Sequence, residues 1–307
     1  MARAAPLAAL AALLAFVPAA LGHGLMIHPK SRNFVAYLNN QEYNAHSLNM
    51  GGAWVVSDYG KLTYPWGNRG ACGDKADQYK WDAPGTPQIT YIPGQEINID
   101  AVIAVNHMGK ITAEICDLYA KPGDGKCQKL KVKMDNGQTA ESWWLPGINQ
   151  WGGGNYGGEG PRYGDGTFEA YQLPEITESS GWGCNGQRLC NMYKDMYVYR
   201  TKWLLPQGFT CDHCKLQWTW TTGHSCWPTC EEGNPMPQCG VKQQFGACGS
   251  AGTAYPEEFV NCADVKITDA AKLDWASNFP PWNGWVEGNM KKGWWGSVSP
   301  SIMNSGY

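Results

Sequence analysis

Two histidines in this chain stand where they could share one metal ion. His23 follows Ala20-Leu21-Gly22, which presents small residues of the kind a signal peptidase cuts behind. Cleavage after Gly22 makes His23 the first residue of the mature chain. An N-terminal histidine offers two nitrogens, its α-amine and its ring Nδ1, placed to chelate one ion. The amine has a reference pKa of about 7.7–8.0, so a metal displaces its proton at little cost near neutral pH. His107 lies in Asn106-His107-Met108-Gly109, where an alternating apolar run ends and a turn begins. Its ring adds a third nitrogen. Three nitrogens, with no need for sulfur or carboxylate, suit copper.

The other four histidines carry less. His28 and His46 lie in an early irregular region and read as hydrogen-bonding residues. His213 sits inside Cys211-Asp212-His213-Cys214 and reads as structural, while His224, in the turn Gly223–Cys226, could lie near the metal. Twelve cysteines, an even number behind an export leader, read as disulfides, and the same export argues against zinc or redox chemistry at the Cys-x-x-Cys. Cys116–Cys127 and Cys184–Cys190 are close enough to be local bridges, although spacing does not fix pairing.

The elements that must hold these residues are strands. Ile97, Ile99, Ala101, Ile103 and Val105 alternate with Asn98, Asp100, Val102 and Ala104. A second run, Ile111, Ala113 and Ile115, follows the break at Gly109. Tyr197–Trp203, Leu216–Trp220 and Phe259–Ile267 add three more, the last with Phe259, Asn261, Ala263 and Val265 on one face. Long helical periodicity is absent. Short strands with Gly- and Pro-rich connections predict an all-β, antiparallel immunoglobulin- or fibronectin III-like sandwich with long loops and several disulfides. In that frame His107 projects at a rim of the sandwich and not into its core. Residues 32–92 and 145–195 are long connections whose Trp, Tyr and Cys argue for order.

The 307 residues divide into a leader over 1–22, a domain over 23–267 and a Trp/Gly/Pro-rich tail over 268–307. The leader has a basic start at Arg3 and an apolar centre from Leu7 to Phe16. A net charge of −3 without a basic block argues against nucleic acid as partner. No run after the leader approaches the roughly 20 apolar residues of a membrane span. The expectation is an exported monomer, extracellular or in the cell wall. The 16 Trp and 15 Tyr suit a protein that handles carbohydrate, because sugar C–H faces stack on aromatic rings.

Four places in order carry a family resemblance. They are His23-Gly24 with Pro29 and Ser31-Arg32; Gly70-Ala71-Cys72-Gly73-Asp74; Asn106-His107-x-Gly109; and Glu257–Val265 preceded by Leu216–Trp220 and Thr222-Gly223. Over about residues 23–267 the chain resembles the lytic polysaccharide monooxygenases of the auxiliary activity family 15 type and their chitin-binding, bacterial chitin-active relatives. The resemblance implies one copper per chain, held by His23 and His107, with Phe259 at the axial position. Phenylalanine there closes the axial side with apolar surface and cannot coordinate. Val105 departs from the Ala common in the family. The implied reaction is oxidative cleavage of an insoluble β-1,4-linked polysaccharide, chitin or cellulose, using O2 or H2O2 and an external electron donor. A non-catalytic carbohydrate-binding module and a structural cell-wall protein are the alternatives on the same sandwich.

Overall fold

In the computed structural model the described residues are 23–269, apart from 40, 43, 106, 135, 146–168, 173–196, 241–245 and 253. The leader, the Gly-rich run Trp151–Gly158, Cys184, Cys190 and the tail from 270 onward lie outside them. The elements in chain order are β1 (His23–His28), α1 (Arg32–Leu38), α2 (Ala53–Val56), β2 (Ile89–Tyr91), β3 (Glu96–Val105), β4 (Lys110–Asp117), β5 (Cys127–Lys129), β6 (Lys131–Lys133), β7 (Thr139–Ala140), β8 (Trp143–Trp144), β9 (Glu169–Gln172), β10 (Tyr197–Leu204), β11 (Cys211–Thr221) and β12 (Glu258–Ile267).

These strands form two sheets that enclose one core. The first runs β1-β3-β10-β6-β7, with β9 also on β10, and the second runs β2-β12-β11-β4-β5, with β8 also on β4. The predicted sandwich is therefore the observed one. Alternation explains the facing. Ile97, Ile99, Ala101 and Ile103 of β3 meet Ile111, Ala113 and Ile115 of β4 and Leu216, Trp218 and Trp220 of β11 in a single buried cluster. Gln217 and Thr219, the alternate residues of β11, are only half-buried.

Two features depart from a plain alternating pattern. Nearly every residue of β12 is buried, because its outer face is covered by the long early connection. Cys262 is bonded to Cys72, and Val260 packs with Met50, Val56 and Tyr255. That connection contains the two short helices, which lack the length to show a helical period in the sequence. Further disulfides join Cys116 to Cys127, Cys211 to Cys214, Cys226 to Cys248 and Cys230 to Cys239. No cysteine among the described residues is free. The Cys-x-x-Cys is thus a bridge, and its His213 bonds Asp264 at 2.9 Å.

Consecutive strands β3 and β4 belong to opposite sheets. The chain crosses between them in four residues, which fixes the His107 turn at one end of the sandwich. β1 runs antiparallel to β3 with the His23 backbone opposite Val105. For His23, Ala104 and Val105 the description covers the backbone alone.

Gly24 makes that end possible. A Cβ there would stand 2.8 Å from Trp220 Cε3 and 3.2 Å from Trp218 Cη2. Bare backbone is what lets β1 start directly on the indole rings. Gly24→Ala should lift the start of β1 or shift both rings, costing about 1–3 kcal/mol as overpacking. Urea unfolding would measure it, and an unchanged midpoint would mean that β1 yields freely.

Candidate metal centre

The turn after β3 and the turn after β11 are stitched together. Gly223 N–H donates to His107 O at 2.8 Å, and Trp220 Nε1–H donates to Met108 O at 2.8 Å. Gly109 has φ +83°, and a Cβ on it would collide with the Thr221 carbonyl, so glycine is required at this crossing. The result brings His224 and Glu257 against His107. The rings of His107 and His224 have centroids 4.2 Å apart. Glu257 Oε2 lies 3.7 Å from His107 Nδ1. One donor atom from each of His107, His224 and Glu257 falls within 4.8 Å of the others, close enough to hold a metal ion.

His107 does stand at the rim, but it is 4 % exposed, where the sequence suggested a projecting surface residue. The covering groups are His224, Glu257 and the Trp220 ring, whose centroid is 6.4 Å away. Burial leaves His107 Nδ1 without a hydrogen-bond partner, since 3.7 Å to Glu257 is too long for one. A buried imidazole nitrogen in that state is costly unless something else occupies its lone pair.

The other two donors are pre-set by their partners. The Thr222 hydroxyl has one proton, which it donates to Glu257 O at 3.0 Å. Its oxygen therefore accepts from His224 Nδ1, 3.1 Å away, and His224 Nε2 keeps a free lone pair. Burial and then the neighbouring His107 hold the His224 pKa at about 4 against the opposing pull of Glu257, so the ring is neutral near pH 7. Asn49 Nδ2–H donates to Glu257 Oε1 at 2.8 Å and leaves Oε2 toward His107. Burial raises the Glu257 pKa, but the His107 imidazole and the Asn49 amide outweigh it, and the carboxyl stays below its ordinary range.

Trp220 is the floor of the site. It meets Gly24 on one side, bonds the His107 turn through its indole nitrogen, and stacks on Phe259 with centroids 5.2 Å apart. Phe259 itself is fully buried, one ring removed from His107. Neither Trp220 nor Glu257 was singled out by spacing as part of a site. Their contribution comes from the β11–β12 pairing of Trp220 with Phe259, which no local pattern encodes. His28 is apart from this centre, buried at the far end of β1. Burial, with the Arg200 charge, holds its pKa at about 4 against the opposing pull of Asp100. His46 lies half-buried in the 3-10 turn Ala45–Ser47. A cleft of about 710 Å³ opens beside the centre, lined among others by Trp54, Tyr64, His224, Tyr255 and Glu257.

A sandwich that closes one end with a His/His/Glu cluster beside its first strand defines a class of metal-binding β-protein. Residues 23–265 match the family model described as lytic polysaccharide mono-oxygenase, cellulose-degrading, and the chain belongs to that family. Among solved structures it is similar to the AA15 lytic polysaccharide monooxygenase of Thermobia domestica in the Cu(I) state, at 20% identity and a TM-score of 0.45, over 80% of this chain and 98% of that one. It is also similar to a chitin binding domain from Burkholderia pseudomallei, at 10% identity and a TM-score of 0.35, over 80% of this chain and 100% of that one. No curated protein matches. Among the described residues no helix is long and apolar enough to cross a membrane.

Proposed function

We propose that the chain is an exported copper-dependent monooxygenase that cleaves a β-1,4-linked polysaccharide, chitin or cellulose, at an extracellular or cell-wall surface. The observation that carries this reading is the register of His23 opposite Val105, two residues before His107. That register supports a mature start at His23 close to the second histidine. Residues 1–22 are the removed leader, residues 23–267 the catalytic unit, and residues 268–307 a separate tail.

The donors fit copper. His23 would supply the α-amine and ring Nδ1, and His107 a ring nitrogen, at the end of the sandwich where the His23 backbone pairs with Val105. Copper, when bound, supplies one-electron chemistry with an external donor and O2 or H2O2, directed at C1 or C4 of the sugar. The chain's own part is positional. Trp220 and Phe259 stack into an apolar wall that would exclude water from one side of a bound metal. Trp54 and Trp66, 64% and 77% exposed, offer ring faces to sugar C–H groups.

The test is the mature protein, copper-loaded, incubated with a reductant and chitin or cellulose. Oxidised oligosaccharides found by mass spectrometry from one of the two identify the substrate. His107→Ala should abolish them and alter the copper paramagnetic resonance spectrum. Phe259→Tyr should shift that spectrum, at a stability cost of about 1–3 kcal/mol if its hydroxyl stays unpartnered. No oxidised product from either glycan, or a native spectrum in His107→Ala, would overturn the assignment.

A further inference from the structure

The proposed brace uses His23 and His107, yet among the described residues His107 also gathers with His224 and Glu257, one donor atom of each within 4.8 Å of the others. None of these three depends on a free N-terminus. We propose that His107 Nδ1, His224 Nε2 and Glu257 Oε2 form a second site for a divalent cation of the zinc class, whose occupation excludes the brace because both draw on His107.

The spacing supports a shared ion. Two ligands about 2.0–2.2 Å from a tetrahedral zinc ion stand roughly 3.3–3.5 Å apart. His107 Nδ1 and Glu257 Oε2 are 3.7 Å apart, too long for a hydrogen bond and close to that ligand separation. The His107 ring is buried and its Nδ1 has no hydrogen-bond partner. The hydrogen bonds of Thr222 leave His224 Nε2 with its lone pair free, and that of Asn49 to Oε1 leaves Glu257 Oε2 on the side of His107. Two imidazoles and one carboxylate with an open fourth position is an ordinary zinc donor set.

Exclusion follows from the proton on His107. A neutral imidazole has one lone pair and one N–H. A cation on Nδ1 leaves the proton on Nε2, and that nitrogen then has nothing to give to copper. A cation on Nε2 leaves the proton on Nδ1, on the side of Glu257, so that nitrogen has no lone pair for a second ion. One ring serves one ion at a time. The second site also exists before the leader is removed, so the precursor can carry a cation that must leave before copper enters.

The chain carrying one extra residue before His23 separates the two sites, since it lacks the amine. Calorimetric titration of this protein with Zn²⁺ alone should show one ion per chain. His224→Ala should weaken that binding by at least about tenfold, and so should the conservative Glu257→Gln. Circular dichroism and thermal unfolding confirm that each variant is folded. In the mature protein, Zn²⁺ should raise the apparent Kd for Cu²⁺, and this effect should be lost in His224→Ala. An extended chain that takes up no Zn²⁺, or one whose Zn²⁺ affinity ignores both substitutions, would overturn the second site. Amine-dependent copper binding without zinc present reads the brace by itself, so the two ideas fail separately.

Discussion

One residue added before His23 should remove tight copper binding and reduce oxidised product to background. The α-amine becomes a peptide nitrogen, which is neither basic nor free to bind a metal near neutral pH. Chelation by a single residue through two nitrogens is thereby lost, and only monodentate imidazoles remain. Loss of a direct ligand should exceed the 10–100-fold effect typical of removing a group behind one, so the copper Kd should rise by more than about 100-fold. Linkage gives a second readout. At 1,000 times its Kd a ligand stabilises the folded state by about 4.1 kcal/mol, and the extended chain should forfeit most of that. Its stability without metal should hold, because β1 keeps its pairing with β3. Thermal unfolding with and without Cu²⁺ measures both quantities. Equal copper stabilisation of the two proteins would end the brace reading.

Asp264→Ala should cost about 3–5 kcal/mol, the range for breaking a buried ion pair by removing one partner. Asp264 is buried in β12, at the far end of that strand from Phe259. Its two oxygens accept from Arg32 Nη2 at 2.7 Å and Nε at 2.8 Å, and it accepts further from Gly85 N–H at 2.9 Å and from His213 Nε2. Arg32 belongs to α1, so the pair pins the early connection onto the second sheet. Without the carboxylate, a buried guanidinium keeps Trp81 O, Asp82 O and the weak acceptor Cys72 Sγ, all on one nitrogen, and loses its partners on Nε and Nη2. The pH dependence has a definite sign. Burial acts to raise the Asp264 pKa, but the Arg32 bonds and charge prevail and the folded value lies below the ordinary one. A depressed carboxyl contributes stability that is complete above its unfolded pKa of about 3.9 and is lost as pH falls through the lower folded value. The difference between wild type and Asp264→Ala in urea should therefore be full at pH 7 and narrow below about pH 4. A gap that is constant across that range would show that the carboxylate's charge is not what holds α1.

Much of the frame was legible in the chain itself. Strands β3, β4 and β11 announce themselves by alternation, because a residue's facing is decided by its neighbours two positions away, and β10 and the core-facing half of β12 are legible as strand-like runs. His107 was legible for the same reason, as the residue where such a run ends at a turn. His23 was legible as chemistry, since a leader cut exposes an amine wherever the fold puts it. Other features needed three dimensions. The covered outer face of β12 departs from alternation because residues from 32 to 81 come to lie on it. The disulfide Cys72–Cys262 spans 190 residues, and no spacing rule reaches that far. His224 could be noted from its turn, but its approach to His107 depends on the Gly223–His107 backbone bond and on a β4–β11 register set by paired side chains along both strands. Glu257 joins them only because β12 lies beside β11. Periodicity records which face a residue takes, while the meeting of His107 and His224 with Glu257 is decided by which strands become neighbours, a property of the packed sheets that leaves no mark on the local sequence.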